Sequence, residues 1–291
     1  MSTPSNSTTM LYLLPLIILS CMRFVLAANF HRDFDILWGN GRGSILSNGK
    51  IVRLSLDEYS GSGIQTKCPY FFLRIDMQIK LIPGNSAGTV TAFYLASEGD
   101  KRDEIDIEFL GNLTDEPYTV HTNIFTKGNG SREQQFHLWF DPTRNFHTYT
   151  ITWNPFMIVM YVDGTPVRVF KNMESNGVPY LKDMPMRVYL SLWDGDQWAT
   201  RGGTVKTNWS ESPFKAWFRN YKVRGCVWMN GESSCSSGSS NTVKHDWYNL
   251  KELDSSSKEM LKLVQHKHMF YSYCNDSSRF PHGFPLECDE K

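Results

Sequence analysis

Between residues 35 and 225 apolar positions recur at every second residue or in short continuous runs, and Gly and Pro interrupt them at hairpin distances. The segments 49–56, 70–81, 89–96 and 148–153 read as strands. The run 157–162 stops at the turn dipeptide Asp163-Gly164, 167–170 follows, and 186–193 resumes the pattern. No long helical period interrupts this stretch. The pattern predicts an all-β fold, an antiparallel sandwich or jelly roll, over 29–225. After Cys226 the composition changes. Residues 233–240 are rich in Ser and Gly and read as a loop. Ser256-Ser257-Lys258-Glu259 has the form of a capping box, and Met260, Leu263 and Val264 follow at helical spacing. The segment 226–291 is therefore expected to be a short extension with one helix packed on the sandwich and a tail closed by disulfides. It is too small to stand without such staples.

The first 28 residues read differently. An apolar run from Leu11 to Met22, broken by Pro15, precedes the small residues Ala27 and Ala28. This is the form of a secretion signal, with cleavage near 28, although no Lys or Arg precedes Leu11. A signal anchor is the alternative, but the run is short for a bilayer and Arg23 ends it. Export fits the cysteines. With Cys21 removed, five remain, and spacing pairs Cys226 with Cys235 and Cys274 with Cys288 as local loops, leaving Cys68 unpaired. No CxxC pair or ligand-like histidine spacing points to a metal, and none is expected. Four Asn-x-Ser/Thr sequons begin at Asn112, Asn129, Asn208 and Asn275. The 30 basic and 30 acidic side chains balance, which argues against nucleic acid as a partner.

The candidate chemistry lies in RDEIDIEFLG, residues 102–111, where Asp103, Glu104, Asp106 and Glu108 crowd into six positions. On a strand, Glu104, Asp106 and Glu108 share one face, while Ile105, Ile107 and Phe109 share the other. The apolar face can sit on a core, leaving a row of three acids opposite. Glu104 and Glu108 have Cα atoms roughly 13 Å apart at ~3.4 Å per residue. Leaning side chains and strand twist bring such carboxyls toward the separation of about 5–5.5 Å used by retaining glycosidases. One ionised carboxylate would attack an anomeric carbon, a protonated one would assist the leaving oxygen, and Asp106 between them would hold the two in unequal states. Spacing alone does not say which Glu has which role. A solvated acidic edge strand is the plain alternative. A calcium site would want oxygen ligands on a flexible loop instead.

The stretch Asp103 to Gly111, followed by the Asn112-Leu113-Thr114 sequon, resembles the signature of plant xyloglucan endotransglucosylase/hydrolases, a family of β-jelly-roll, concanavalin-like glycosidases. The similarity continues through the segments 83–90, Arg132-Glu133-Gln134-Gln135, Phe146-His147-Thr148-Tyr149, Ser191-Leu192-Trp193 and 198–203, and the four C-terminal cysteines match the family's extension. The resemblance implies Glu104 as nucleophile, Glu108 as acid/base and Asp106 as their assistant. It places glucan contacts on Glu108, His121, Thr122, Asn123, Ser131, Arg132, Glu133, Gln197, Trp198, Gly202 and Arg279. It also implies a glycan on Asn112.

There are departures. Arg102 stands where the family usually has His, Ser131 where Asn is common, Gln197 where Asp is common, and Cys68 is an extra thiol. None removes a catalytic carboxylate; they bear on acceptor preference and pH optimum. Trp193 and Trp198 are the candidates for stacking an incoming chain and excluding water. Trp198 is the stronger, because its loop is polar and Gly-bearing. The resemblance implies a secreted, monomeric cell-wall enzyme without a cofactor, free of the membrane once its signal is removed. It would cut xyloglucan and transfer the glycosyl unit to a xyloglucan or oligosaccharide acceptor. The competing readings are a predominantly hydrolytic xyloglucanase and a non-catalytic glucan-binding lectin.

Overall fold

A computed structural model describes residues 28–235 and 246–289. Most of the expected signal segment, and the Ser/Gly-rich loop beyond Cys235, lie outside the described residues. The chain begins with a short helix α1 (Phe30–Asp33) and then runs β1 (Phe34–Trp38), β2 (Gly43–Leu46), β3 (Ile51–Leu56), β4 (Ser62–Thr66), β5 (Tyr70–Lys80), β6 (Thr89–Ala96), β7 (Glu104–Leu110), β8 (Thr119–Phe125) and β9 (Gln134–His137). It continues through β10 (His147–Trp153), β11 (Met157–Val162), β12 (Thr165–Lys171), β13 (Arg187–Asp194), β14 (Phe214–Met229) and β15 (Glu232–Ser233). Helix α2 (Ser255–His268) and strand β16 (Met269–Ser272) belong to the extension.

Two antiparallel sheets form. The first has the order β1-β4-β13-β6-β7-β8-β9-β16; the second runs β12-β11-β10-β5-β14-β3-β2, with β15 paired beside β14. Alternation explains how they close on each other. In β5, Leu73, Ile75, Met77 and Ile79 all turn inward, and from β7 Ile105, Ile107 and Phe109 meet them in one core. The Phe109 ring lies 4.6 Å from that of Tyr149, edge to face, joining the two sheets. Burial of these side chains supplies the main stabilisation, at roughly 1.5–3 kcal/mol for each large apolar group.

Strand β11 breaks the alternation, since every residue in Met157–Val162 is buried. The extension is the reason. Leu253, with the partly buried Leu250 and Leu261, covers the outward Met157, Val159 and Tyr161. Asn154 ties the crossing down: its Nδ2 donates to the carbonyls of Trp247 at 2.7 Å and Leu250 at 2.9 Å. Helix α2 lies against β12. Its cap differs from the capping box read from the sequence. The side chain of Asp254 accepts the Ser257 N–H at 2.8 Å, so the helix starts earlier than a box at Ser256 requires. Of its expected apolar face only Val264 is buried, while Met260 and Leu263 are exposed.

The extension also donates β16 to the first sheet, pairing Tyr271 with Gln135 and Ser272 with Gln134. Cys226–Cys235 and Cys274–Cys288 are bridged, each with Cα atoms 5.3 Å apart. The expected free thiol at Cys68 is not found. Cys68 is disulfide-bonded, and no free cysteine occurs among the described residues. Pairing by short loops misses such a bond because a cross-link depends on spatial proximity, not on sequence separation.

Candidate active site

Strand β7 carries the acid row on the face turned away from the core. Glu104 and Asp106 are buried and Glu108 is half-buried. The strand is held at its entry: Asp103 N–H donates to Ser97 Oγ at 2.8 Å, and Asp103 Oδ1 accepts the Lys127 N–H at 2.8 Å. Register then fixes the neighbours. Glu108 lies opposite Ala92 on one side and His121 on the other, and Asp106 lies opposite Tyr94 and Asn123. Tyr94 in turn faces Tyr189, and the two rings stack at 4.9 Å and 13°.

Burial and mutual repulsion separate the three acids. Burial pushes the Glu108 carboxyl up to about 7, and the charge of Glu104 adds to the effect. Asp106 is raised well above the carboxylate range, again by burial first and then by Glu104 and Glu108. A side-chain hydrogen bond with Glu104 also favours the protonated form of Asp106. From the other side the Arg102 Nε donates to Glu104 Oε2. Glu104 thus has a partner on each side, while burial favours the protonated forms of Asp106 and Glu108.

His121 is kept neutral. Burial pulls its pKa down to about 4, and Gln135 Nε2 lies 2.9 Å from its Nδ1. The Trp198 ring meets the His121 ring edge to face at 5.6 Å and lies 6.2 Å from the Trp193 ring. The loop bearing Trp198 is pinned at several points. Gly195 N–H donates to the Gly88 carbonyl at 2.8 Å, and Thr200 Oγ1 donates to the Gly111 carbonyl at 2.8 Å. Gly203 closes the loop at φ 82°, where an added Cβ would lie 2.0 Å from the Gln197 carbonyl oxygen.

The other residues named from the sequence divide into two groups. Glu133 pairs with Arg279 at 2.6 Å, and although burial pushes its pKa up, the Arg279 hydrogen bond holds it below the usual carboxylate range. Ser131, Gln197 and Gly202 sit on exposed loops. Thr122 and Arg132 are turned into the protein, while Asn123 is buried on the face of the acid row, opposite Asp106. Thr122 Oγ1 donates to the Gln134 carbonyl at 3.1 Å, and Asn123 Oδ1 accepts the N–H groups of Ile124 and Arg132. Arg132 is spent on Glu287 at 2.6 Å and on Ile124, Thr126 and Asn129.

Sequence reasoning missed the buried Arg168 of β12, which reaches across the sandwich. Its Nη1 donates to both Thr122 oxygens at 2.8 Å and its Nη2 to the Arg132 carbonyl, while burial pulls its pKa down to about 10. A lone Arg between Val167 and Val169 in an apolar strand was the available signal. Gln135 and the Tyr94–Tyr189 stack were also missed, because only cross-strand register brings them to the acids. Among the described residues no group of three or more His, Cys, Asp or Glu is arranged to hold a metal ion.

A two-sheet sandwich with three crowded carboxyls on the face of one sheet away from the core defines the class of β-sandwich glycosidases, and comparison with known proteins agrees. Residues 30–211 match the family model for glycosyl hydrolases family 16, and residues 241–288 match that for the xyloglucan endo-transglycosylase C-terminus. The chain belongs to the xyloglucan endotransglucosylase/hydrolase family. It is 55% identical to xyloglucan endotransglucosylase/hydrolase protein 22 of Arabidopsis thaliana, over 95% of this chain and 98% of that protein. It is 51% identical to xyloglucan endotransglucosylase protein 1 of Diospyros kaki, over 98% of this chain and 96% of that one. Among solved structures, a β-1,3-1,4-glucanase from a mouse hindgut metagenome matches with TM-score 0.51 and 25% identity, covering 66% of this chain and 91% of that one. The Crh5 transglycosylase shares the fold with TM-score 0.54 at 24% identity, covering 72% of this chain and 84% of that one.

Proposed function

We propose that this enzyme cuts the β-1,4-glucan backbone of xyloglucan and transfers the severed chain to another xyloglucan by retaining double displacement. The observation that carries the reading is the geometry of the acid row, with Glu104, Asp106 and Glu108 on one face of β7 and Arg102 donating to Glu104. Glu104 is the carboxylate braced by Arg102 and Asp106, and Glu108 holds a proton up to about pH 7. In the first step Glu104 attacks the anomeric carbon while Glu108 gives its proton to the departing oxygen, leaving an ester on Glu104. In the second step Glu108 takes the proton of the incoming hydroxyl, the acceptor oxygen attacks, and Glu104 leaves as carboxylate. One glycosidic bond is broken and one is made, and the proton returns to Glu108.

Water competes with the sugar hydroxyl in the second step. Trp198, flanked by Trp193 and the neutral His121, supports acceptor seating, since an ordered sugar chain there displaces water. Glu133, Arg279, Ser131, Gln197 and Gly202 line or border the same side in this reading. Buried Thr122 and Arg132 act by holding β8 in register, and Asn123 sits on the acid-row face beside Asp106. The reading extends to secretion after removal of residues 1–28, action in the plant cell wall as a single chain, a catalytic unit over 29–225 with its extension over 226–291, and a glycan on Asn112. The half-buried Asn112 donates from Nδ2 to the Pro117 carbonyl at 3.0 Å, and a glycosylated amide would keep one N–H for this bond.

The test is incubation with xyloglucan and a labelled oligosaccharide acceptor while reducing ends are counted. Label entering the polymer without a matching rise in reducing ends supports transfer. Rising reducing ends without incorporation would replace it with a hydrolase, and neither change would leave a glucan-binding protein.

A further inference from the structure

On the side of the acid row away from β6, the first sheet continues through three strands. Glu108 faces His121, His121 faces Gln135, and Gln135 faces Tyr271; one step along, Leu110 faces Thr119 and Thr119 faces His137. Side chains paired in this way share a sheet face, so the face bearing Glu108 extends to the β16 edge. A groove of about 410 Å³ beside it is lined by Trp198, Thr119, Gln135, His137 and Phe270, together with the 111–117 loop. Three strand steps of ~4.8 Å put the β16 edge about 14 Å from Glu108, further than one sugar ring extends.

Phe270 is set out of line there. The pairing of β16 with β9 slips between Met269 and Tyr271, and a slip of this kind re-aims the side chain it displaces. The ring of Phe270 is 52% exposed and rests 4.3 Å from that of His137, tilted by 33°. A single exposed apolar side chain needs no explanation. This one is backed by an imidazole and lines the same groove as Trp198.

We infer that Phe270, supported by His137, is an outer acceptor platform that stacks on a backbone sugar of the incoming glucan two or three residues beyond the new bond. The occupant follows from continuity with the site and from chemistry. A β-linked glucan is a ribbon with C–H groups on its faces and hydroxyls on its edges, which suits an aromatic floor bordered by Thr119 and Gln135. The inference rests on the transferase reading and on acceptors lying on the Trp198 side.

The test compares two labelled acceptors, one with a two-glucose backbone and one with a four-glucose backbone, on wild type, Phe270→Ala, Phe270→Leu and Phe270→Tyr. Phe270→Ala and Phe270→Leu should raise KM for the longer acceptor by about fivefold, the scale of one aromatic contact. They should leave kcat and the KM of the shorter acceptor within about twofold. Phe270→Tyr should restore the longer acceptor's KM. Phe270→Leu keeps an apolar side chain of similar bulk, so it separates loss of the ring from loss of packing. Equal changes for both acceptors, or no change in either, would overturn the platform while leaving transfer intact. Absence of transfer by the wild type to either acceptor would overturn both readings.

Discussion

Arg102 donates from Nε to Glu104 Oε2, so a cation precedes the proposed nucleophile by two residues and pairs with it from solvent. The Arg102 side chain is 56% exposed, which keeps the contribution to folding within about 1 kcal/mol. Its effect on the reaction is directional. An arginine favours Glu104 as an anion, which opposes formation of the ester and assists the step that releases it. Arg102→Gln should therefore raise the steady-state fraction of glycosyl-enzyme by a few fold, seen as an adduct by mass spectrometry, with Tm changed by about a degree or less. A lower fraction of adduct would mean that Arg102 serves formation instead.

The two glutamates should fail differently. Glu104→Ala should abolish both transfer and hydrolysis with the fold intact, since Glu104 faces away from the core. Glu108→Ala should also be severe, in the range of about 10²–10⁴ for loss of acid/base assistance. Substrates with good leaving groups should recover the first step in Glu108→Ala and none of it in Glu104→Ala. Recovery in both variants would remove the nucleophile assignment.

Glu108 sets a pH limit. Its folded pKa of about 7 stands above the ordinary glutamate value of about 4.5, so the acid form needed for the first step is lost as pH rises through about 7. The donor kcat/KM should fall about tenfold per pH unit above that point. The folded state binds this proton more tightly than the unfolded chain does. The contribution of Glu108 to stability is therefore full below about 4.5, declines as pH rises toward about 7, and levels beyond it. Tm measured against pH should show this decline in the wild type and less of it in Glu108→Gln.

Trp198 is 37% exposed and held between Trp193 and His121, which makes it a surface of the site and not a core residue. Trp198→Ala removes a stacking face worth about 1 kcal/mol. Transfer should fall by about fivefold more than hydrolysis, with a weaker apparent acceptor affinity and little change in Tm. A common loss of both rates with a lowered Tm would assign Trp198 to packing.

Arg132 and Glu287 form a buried pair at 2.6 Å, and the adjacent Cys288 is bridged to Cys274. Glu287→Ala leaves a buried guanidinium without its counter-charge and should cost about 3 kcal/mol. Opening the disulfide with Cys274→Ser and Cys288→Ser should cost about 3 kcal/mol as well, from the closed loop's length. Both changes release the same tail, so the combined loss should be less than the sum. Urea unfolding of the variants reads all three values, and full additivity would mean that the tail is held at two independent points.

Period-two alternation in residues 104–109 was enough to put three acids on one face and Ile105, Ile107 and Phe109 on the other, because side-chain direction along a strand is a local property. The same local logic located most strands of the sandwich and both C-terminal disulfides. It did not reach the neighbours. Whether His121 lies beside Glu108, whether Arg168 bridges to Thr122, and whether β16 joins β9 depend on pairing between segments from about a dozen to more than a hundred residues apart. Alternation carries no address for such partners. The same limit hid the inward turn of Arg132. The proton on Glu108 was decided last, since its raised pKa comes from burial and from the charge of Glu104 within the folded site. Local alternation was enough to put Glu104, Asp106 and Glu108 on one strand face, whereas their neighbours and the rise in the Glu108 pKa came only with the folded chain, because desolvation and long-range pairing exist only once the chain has closed on itself.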